Sequence, residues 1–171
     1  MTIISCVDNQ LGLLFNNRRQ SQDYVIFEKI FFHFKKQHQQ YPDAKFYMNT
    51  YSRSLFEEYS KHINDFSNIS SADVNWFKAN IIVSDNFLDL ATKHDFCFVE
   101  TDYVFSYLKE GLVDGIILYH WNTTYPHDFV CDIPIDAISS YTQLSLDSSI
   151  DFIGNSHKKI TEEIFKRDET I

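Results

Sequence analysis

Ser21-Gln22-Asp23-Tyr24-Val25-Ile26-Phe27-Glu28-Lys29-Ile30-Phe31-Phe32-His33-Phe34 sets the character of this chain. Phe27, Ile30, Phe31 and Phe34 fall at i, i+3, i+4 and i+7, the spacing of one helical face. A helix is expected from about 21 to 38, with Ser21 as its cap and Asp23 in its first turn, where the positive dipole end favours a carboxylate. Asp23 precedes Phe27 by one helical turn and Ile30 by two, so it belongs to the apolar stripe. A carboxylate there is unexpected for a solvated residue. It suits a group that meets a buried, protonatable partner, whereas the plain alternative is an acid serving the helix dipole.

Outward from this helix, strands and helices alternate. Residues 2–7 read as a buried strand, Asp8-Asn9-Gln10 as a turn, and 11–15 as a short apolar segment around Gly12. The polar link at 16–22 carries Arg18 and Arg19. Beyond the helix, Tyr41-Pro42-Asp43 is a break, 45–48 a strand and 52–62 a helix. Residues 63–80, rich in Asn, Ser and Asp, read as an irregular polar surface insertion. Strands follow at 81–83, 96–99 and 115–119, with short helices at 86–92 and 102–110. Gly115-Ile116-Ile117-Leu118-Tyr119 has no alternation, which predicts burial on both faces. Segments 129–133 and 141–146 suggest a final antiparallel section. At 160–166, Glu162-Glu163 favour a helix, while the rest of the pattern suits a strand. The expectation is a single α/β domain over 1–171: a mostly parallel twisted sheet flanked by helices, ending in a C-terminal antiparallel hairpin.

Composition narrows the function classes. The net charge of −9 opposes phosphate backbones, so nucleic-acid binding is disfavoured, while a protein partner remains open. No stretch approaches the ~20 apolar residues of a membrane span, and the first residues are too short and uncharged for a signal peptide. Cys6, Cys97 and Cys131 are odd in number, far apart and set in apolar runs, which fits buried reduced thiols in a cytoplasm. With only four glycines, the chain has neither Gly-x-Gly-x-x-Gly nor a P-loop.

Several strings resemble dihydrofolate reductase. Ser5-Cys6-Val7-Asp8-Asn9-Gln10-Leu11-Gly12 resembles that family's first strand and the start of its mobile loop. Gln20 to Phe27 resembles the entry to its first helix, Tyr47 to Ser52 the segment around its second, and Leu118 to Asp128 the approach to its final hairpin. The resemblance implies a cleft above the first helix that binds a small heterocycle or nucleotide. Asp23 would then be the ring-binding, catalytic carboxylate, surrounded by Arg18, Arg19, Ser21, Phe27 and Tyr119. A pteridine offers paired N–H donors that a carboxylate accepts in bidentate fashion. It further implies NADPH as a possible cofactor, beside Thr50, Thr101 and Tyr103. The family's consecutive glycines, however, are replaced by Glu100-Thr101-Asp102, and two carboxylates beside a pyrophosphate are repulsive. Arg18 and Ser21 stand where the family has Trp and Pro, and Tyr119 where it has a supporting threonine. The scaffold is therefore expected without established nicotinamide-dependent reduction. Phe15 to Asp23 and Ser156 to Thr161 also resemble a group of small bacterial proteins with no established chemistry.

Three further constellations bear on function. Arg18 and Arg19 before a helix N-terminus could hold an anion. His120, His127, Asp128 and Cys131 match no zinc spacing, so no metal is assigned. Ser156-His157-Lys158-Lys159 has groups suited to phosphoryl chemistry, yet reads more simply as a surface turn. Besides the ligand-binding reading stand a non-enzymatic partner-binding or inhibitory protein using 63–80, and a hydrolase or nuclease using Arg19, Asp23 and His157.

Overall fold

The computed structural model describes residues 1–168. Its order is β1 (Thr2–Val7), β2 (Gly12–Phe15), β3 (Arg18–Arg19), α1 (Tyr24–Gln40), β4 (Phe46–Met48), α2 (Thr50–His62), α3 (Ser71–Ala79), β5 (Ile81–Val83), α4 (Phe87–Leu90), β6 (Phe96–Phe98), α5 (Phe105–Lys109), β7 (Gly115–His120), β8 (Phe129–Val130), α6 (Ile138–Tyr141), β9 (Leu144–Phe152) and β10 (Ile160–Arg167). Seven strands form the main sheet in the order β5-β4-β6-β1-β7-β10-β9. The first five run parallel; β10 is antiparallel to both β7 and β9. The tail is thus a strand, and Glu162 and Glu163 sit within it because β7 supplies a ladder partner to each.

Strand alternation divides the core into two layers. Ile4 of β1, Phe96 and Phe98 of β6, and Ile117 and Tyr119 of β7 face α1, α2 and α3. Ile3 and Val7, Cys97, and Ile116 and Leu118 face the layer of α4, α5 and β2. The central strands are therefore apolar throughout because both faces are covered. On α1, Ile26, Phe27, Ile30, Phe31 and Phe34 are buried, each stabilising by roughly 1.5–3 kcal/mol relative to exposure.

Three departures from the sequence reading have physical causes. Residues 63–80 are not irregular: a 3-10 turn at Ile63–Asp65 leads to α3, capped by the Ser70 side chain. The polar residues there cover one face, while Val74 and Phe77 enter the aromatic core. Helix α1 starts at Tyr24 with Asp23 as its N-cap, since Asp23 is extended (φ −153°) and accepts from the next amides, displacing Ser21 from that role. Finally, β8 is only Phe129–Val130 and pairs with β2, in a small sheet of order β3-β2-β8 outside the terminal hairpin. The β2–β3 hairpin turns on Asn16 and Asn17, both at positive φ (50° and 60°), as a tight two-residue connection requires. All three cysteines are free. No described helix is long and apolar enough to cross a membrane.

Candidate functional site

Ligands of open α/β sheets bind outside the carboxyl ends of the strands. Here that edge collects Asp8 after β1, Asn49 after β4, Asp85 after β5 and Glu100 to Asp102 after β6. The β2–β3 hairpin folds over it. Beneath the hairpin lies a cavity of about 10 Å³, room for about one water. Cys6, Phe98, Leu55 and Trp121 form its apolar walls, and Arg19, Gln20, Ser21, Tyr59 and Glu100 its polar ones. Burial, reinforced by Glu100 and Asp23, pushes the Cys6 thiol well above its ordinary pKa, so it is a neutral wall group rather than a thiolate.

Two polar hubs hold the hairpin down. Arg19 donates to Glu100 in bidentate fashion, Nε to Oε2 at 2.8 Å and Nη2 to Oε1 at 3.0 Å. Ser52 Oγ donates to the same carboxylate at 2.8 Å, and the Arg19 amide donates to Tyr51 Oη at 2.9 Å. The guanidinium expected to meet an external anion is thus neutralised by an internal one, while Arg18 is exposed on the hairpin. The second hub is Asp8. It accepts from the amides of Gly12 (2.7 Å), Gln10 (2.8 Å) and Tyr125 (3.2 Å) and from Gln20 Nε2 (2.9 Å). Burial opposes its ionisation, but these bonds outweigh it and hold the carboxyl below its ordinary range. Gly12 is required by this crowding: a Cβ would come within 2.9 Å of Gln20, Asp8 and His127. Gln20, spanning hub and cavity, retains a buried Oε1 with no hydrogen-bond partner.

Asp23 faces inward and is fully buried. The space beside it is filled by the loop joining β9 to β10. Oδ1 accepts from the amides of Val25 (2.8 Å) and Ile26 (3.3 Å), and Oδ2 from the amide (2.7 Å) and hydroxyl (2.6 Å) of Ser156. Its own amide donates to Tyr59 Oη at 2.8 Å. The carboxylate is committed to the chain's own donors and does not line the cavity. The network continues to His157 Nδ1, 2.6 Å from Ser156 Oγ, and from Nε2 to Tyr125 Oη at 2.5 Å. With Asp23 ionised and His157 neutral, the chain runs one way: Tyr125 donates to His157, His157 to Ser156, Ser156 to Asp23. His157 also stacks on Trp121, with ring centroids 4.8 Å apart.

The other expected residues lie elsewhere. Phe27 is in the aromatic core against Phe56, Tyr59 and Phe77. Tyr119 supports not Asp23 but Glu162, donating to it at 2.9 Å. Thr101 Oγ1 accepts from Asn49 (2.6 Å) and donates to Asp102 (3.1 Å), and the Thr50 amide donates to Asp85 (3.2 Å). Tyr103 is 63% exposed and packs on Phe129 instead of plugging a groove. Burial, together with Asp85, raises the Asp102 carboxyl. Of Arg19, Asp23 and His157, Asp23 and His157 are joined through Ser156 Oγ, whereas Arg19 is paired with Glu100. No protein-family model matches the chain, and no curated protein is significantly similar to it in sequence.

Sequence reasoning missed Asp8, Gln20, Tyr59, Glu100 and Ser156 as partners. The one local signal was an acid four residues before a glycine at the end of the first strand; the rest are brought together only by the fold.

Proposed function

We propose that this chain is a divergent dihydrofolate-reductase-like protein that binds a small heterocycle or nucleotide base under the β2–β3 hairpin. The architecture that supports the resemblance is a parallel sheet completed by an antiparallel C-terminal pair beside β7. The observation that carries the binding reading is the buried, unpartnered Gln20 Oε1 on the wall of a cavity that also presents Tyr59 and the Arg19–Glu100 pair. A heterocyclic N–H would satisfy that acceptor, and Phe98 and Trp121 would cover a flat ring. The closed cavity takes about one water, so admission requires the hairpin to lift. The ring contact falls to Gln20, with Asp23 retained as a structural acid. NADPH is disfavoured, because Asp85, Glu100 and Asp102 occupy the edge its pyrophosphate would need. The test is an NMR titration with pterin, guanine and NADPH. Saturable shifts around Cys6 and Tyr59 with a heterocycle, lost in Gln20→Leu, support the reading. Absence of saturable shifts with all three sinks it.

A second reading, a non-enzymatic protein acting through an interface, is favoured by β9. Among the described residues this nine-residue strand pairs only with β10; Leu146 and Ile150 are exposed along it and Ile153 just beyond its end. Its carboxylates Asp147 and Asp151 are paired with Lys166 (3.2 Å) and Lys159 (3.5 Å), which lowers the charge barrier to antiparallel pairing with a second copy. A sedimentation experiment decides: a dimer made monomeric by Ile150→Lys supports it, and a monomer at every concentration removes it.

A further inference from the structure

Away from the cleft, α2 and α3 diverge over the free edge of β5. They leave a groove of about 470 Å³, rimmed by Lys61 on one helix and Ser71, Asn75 and Lys78 on the other. It continues into a second hollow of about 250 Å³ whose floor is Met48, Phe56, Ile81 and Val83, with Arg53, itself paired with Glu57, also on its wall. Glu57, Ser60 and Lys78 line both, so the two form one recess with a polar end and an apolar end. The sizes suit a small molecule.

Two independent features give the recess a chemistry. The first is charge. In a protein of net charge −9, Lys61 and Lys78 form no ion pair among the described residues, while Glu57 is taken by Arg53 at 2.9 Å. The second is Ser60. Its Oγ is buried with no hydrogen-bond partner, at the junction of the two hollows. A buried hydroxyl left unpaired is costly, and a ligand oxygen or N–H there would relieve the cost. The apolar floor in turn leaves partly exposed Ile81 and Val83 without cover.

We infer that this recess is a binding site for a flat apolar body carrying a carboxylate or phosphate, its anionic end between Lys61 and Lys78 and its ring over Ile81 and Val83. The ammonium groups supply long-range attraction and the floor supplies hydrophobic burial; neither alone fixes orientation, but Lys61 lines only the polar hollow and Ile81 and Val83 only the apolar one, with Lys78 between them. Ser60 sits where the two parts of such a ligand join.

The experiment is a fluorescence titration of the full chain with 8-anilinonaphthalene-1-sulfonate, a flat apolar anion, with the fold of each variant checked by circular dichroism. Saturable one-to-one binding is expected, at least tenfold tighter than that of uncharged N-phenyl-1-naphthylamine. The double variant Lys61→Glu, Lys78→Glu should weaken it at least tenfold, and Ser60→Ala several-fold. Gln20→Leu, in the other cleft, should leave it unchanged, which separates this site from the proposed heterocycle site. Displacement by adenosine monophosphate assigns a phosphate head, and displacement by naphthalene-1-acetate a carboxylate. Non-saturable binding, unchanged affinity in the double variant, or displacement by neither competitor overturns the inference.

Discussion

Replacing Gly154 with alanine tests what Asp23 is for. Gly154 is not at positive φ, so its backbone accepts alanine without strain. At such a site the substitution ordinarily stabilises by about 0.4–1 kcal/mol, through the entropy of the unfolded chain. Here the new methyl would lie 2.3 Å from Asp23 Oδ2 and 2.5 Å from Ile160 Cδ1. Ile160 can turn, but the carboxylate is pinned by Val25, Ile26 and Ser156. The loop must therefore retreat and surrender the two Ser156 bonds. Each bond to a charged group contributes about 1.5–3 kcal/mol, and partial relaxation returns some of it. A net loss of about 3 kcal/mol is expected, which for a chain of this size lowers Tm by roughly 6–12 °C. The assay is urea denaturation of Gly154→Ala, Asp23→Ala and the double variant. In the Asp23→Ala background the clash with the carboxylate is gone, so the Gly154→Ala cost should fall by more than about 1 kcal/mol. A stabilised Gly154→Ala variant, or strict additivity, would refute the latch. A stabilised Asp23→Ala variant would point to an acid held for a ligand instead.

Phe77→Ala should destabilise by about 3–5 kcal/mol in urea, because the ring packs against Phe27, Phe31, Phe34, Phe46 and Phe56; a loss under about 1 kcal/mol would return residues 63–80 to the status of a dispensable insertion. Glu162 is buried, yet hydrogen bonds and charge from His33, with Tyr119 and Lys29, hold its carboxyl below the ordinary range against the opposing effect of burial. A lowered folded pKa gives stability that is complete above the unfolded value of ~4.3 and is lost as pH falls through the folded one. The stability gap between wild type and Glu162→Gln should therefore narrow between pH 5 and about pH 3, and a gap constant with pH would contradict the assignment. Glu100→Gln leaves the half-buried Arg19 charge without its carboxylate and should speed amide exchange in β2 and β3 more than in β1; uniform protection across these strands would show that the pair does not hold the hairpin.

The parallel core was legible because its signals are local: the continuous apolar runs of β1, β6 and β7 and the helical spacing of Phe27 to Phe34. Helix α3 was not, because the polar run before it (Asn64 to Ser71) hides its start and it is short, with Val74 and Phe77 buried and Trp76 partly buried against the core. Tertiary packing against five other phenylalanines overrides that polarity. At the site, Asp23 does face inward, but as the extended N-cap before α1 rather than as a member of the helical stripe. Its partner was not legible, since Ser156 lies 133 positions away and reaches it only through the β9–β10 loop. Ser156 and His157 read as part of a surface turn, but the Asp23 carboxylate and the Tyr125 hydroxyl draw them into a single chain of hydrogen bonds.

Under the proposed resemblance, the residues that depart from the reductase pattern form a consistent set. Carboxylates at positions 100 and 102 would then stand where that family has bare backbone for a pyrophosphate. The same Glu100 binds Arg19 and Ser52, tying the hairpin to α2 and the sheet. Asn49 and Thr101 satisfy Asp102 from the side. A buried charge left unpaired is strongly destabilising, so removing Arg19 alone would expose the cost of Glu100, and removing Glu100 alone the cost of Arg19. On that proposal, Glu100, which would oppose a dinucleotide, is also the residue that holds the hairpin over the cleft. On the proposed reading, the small space beneath the hairpin, with one unused acceptor on Gln20, would suit a neutral ring bearing an N–H.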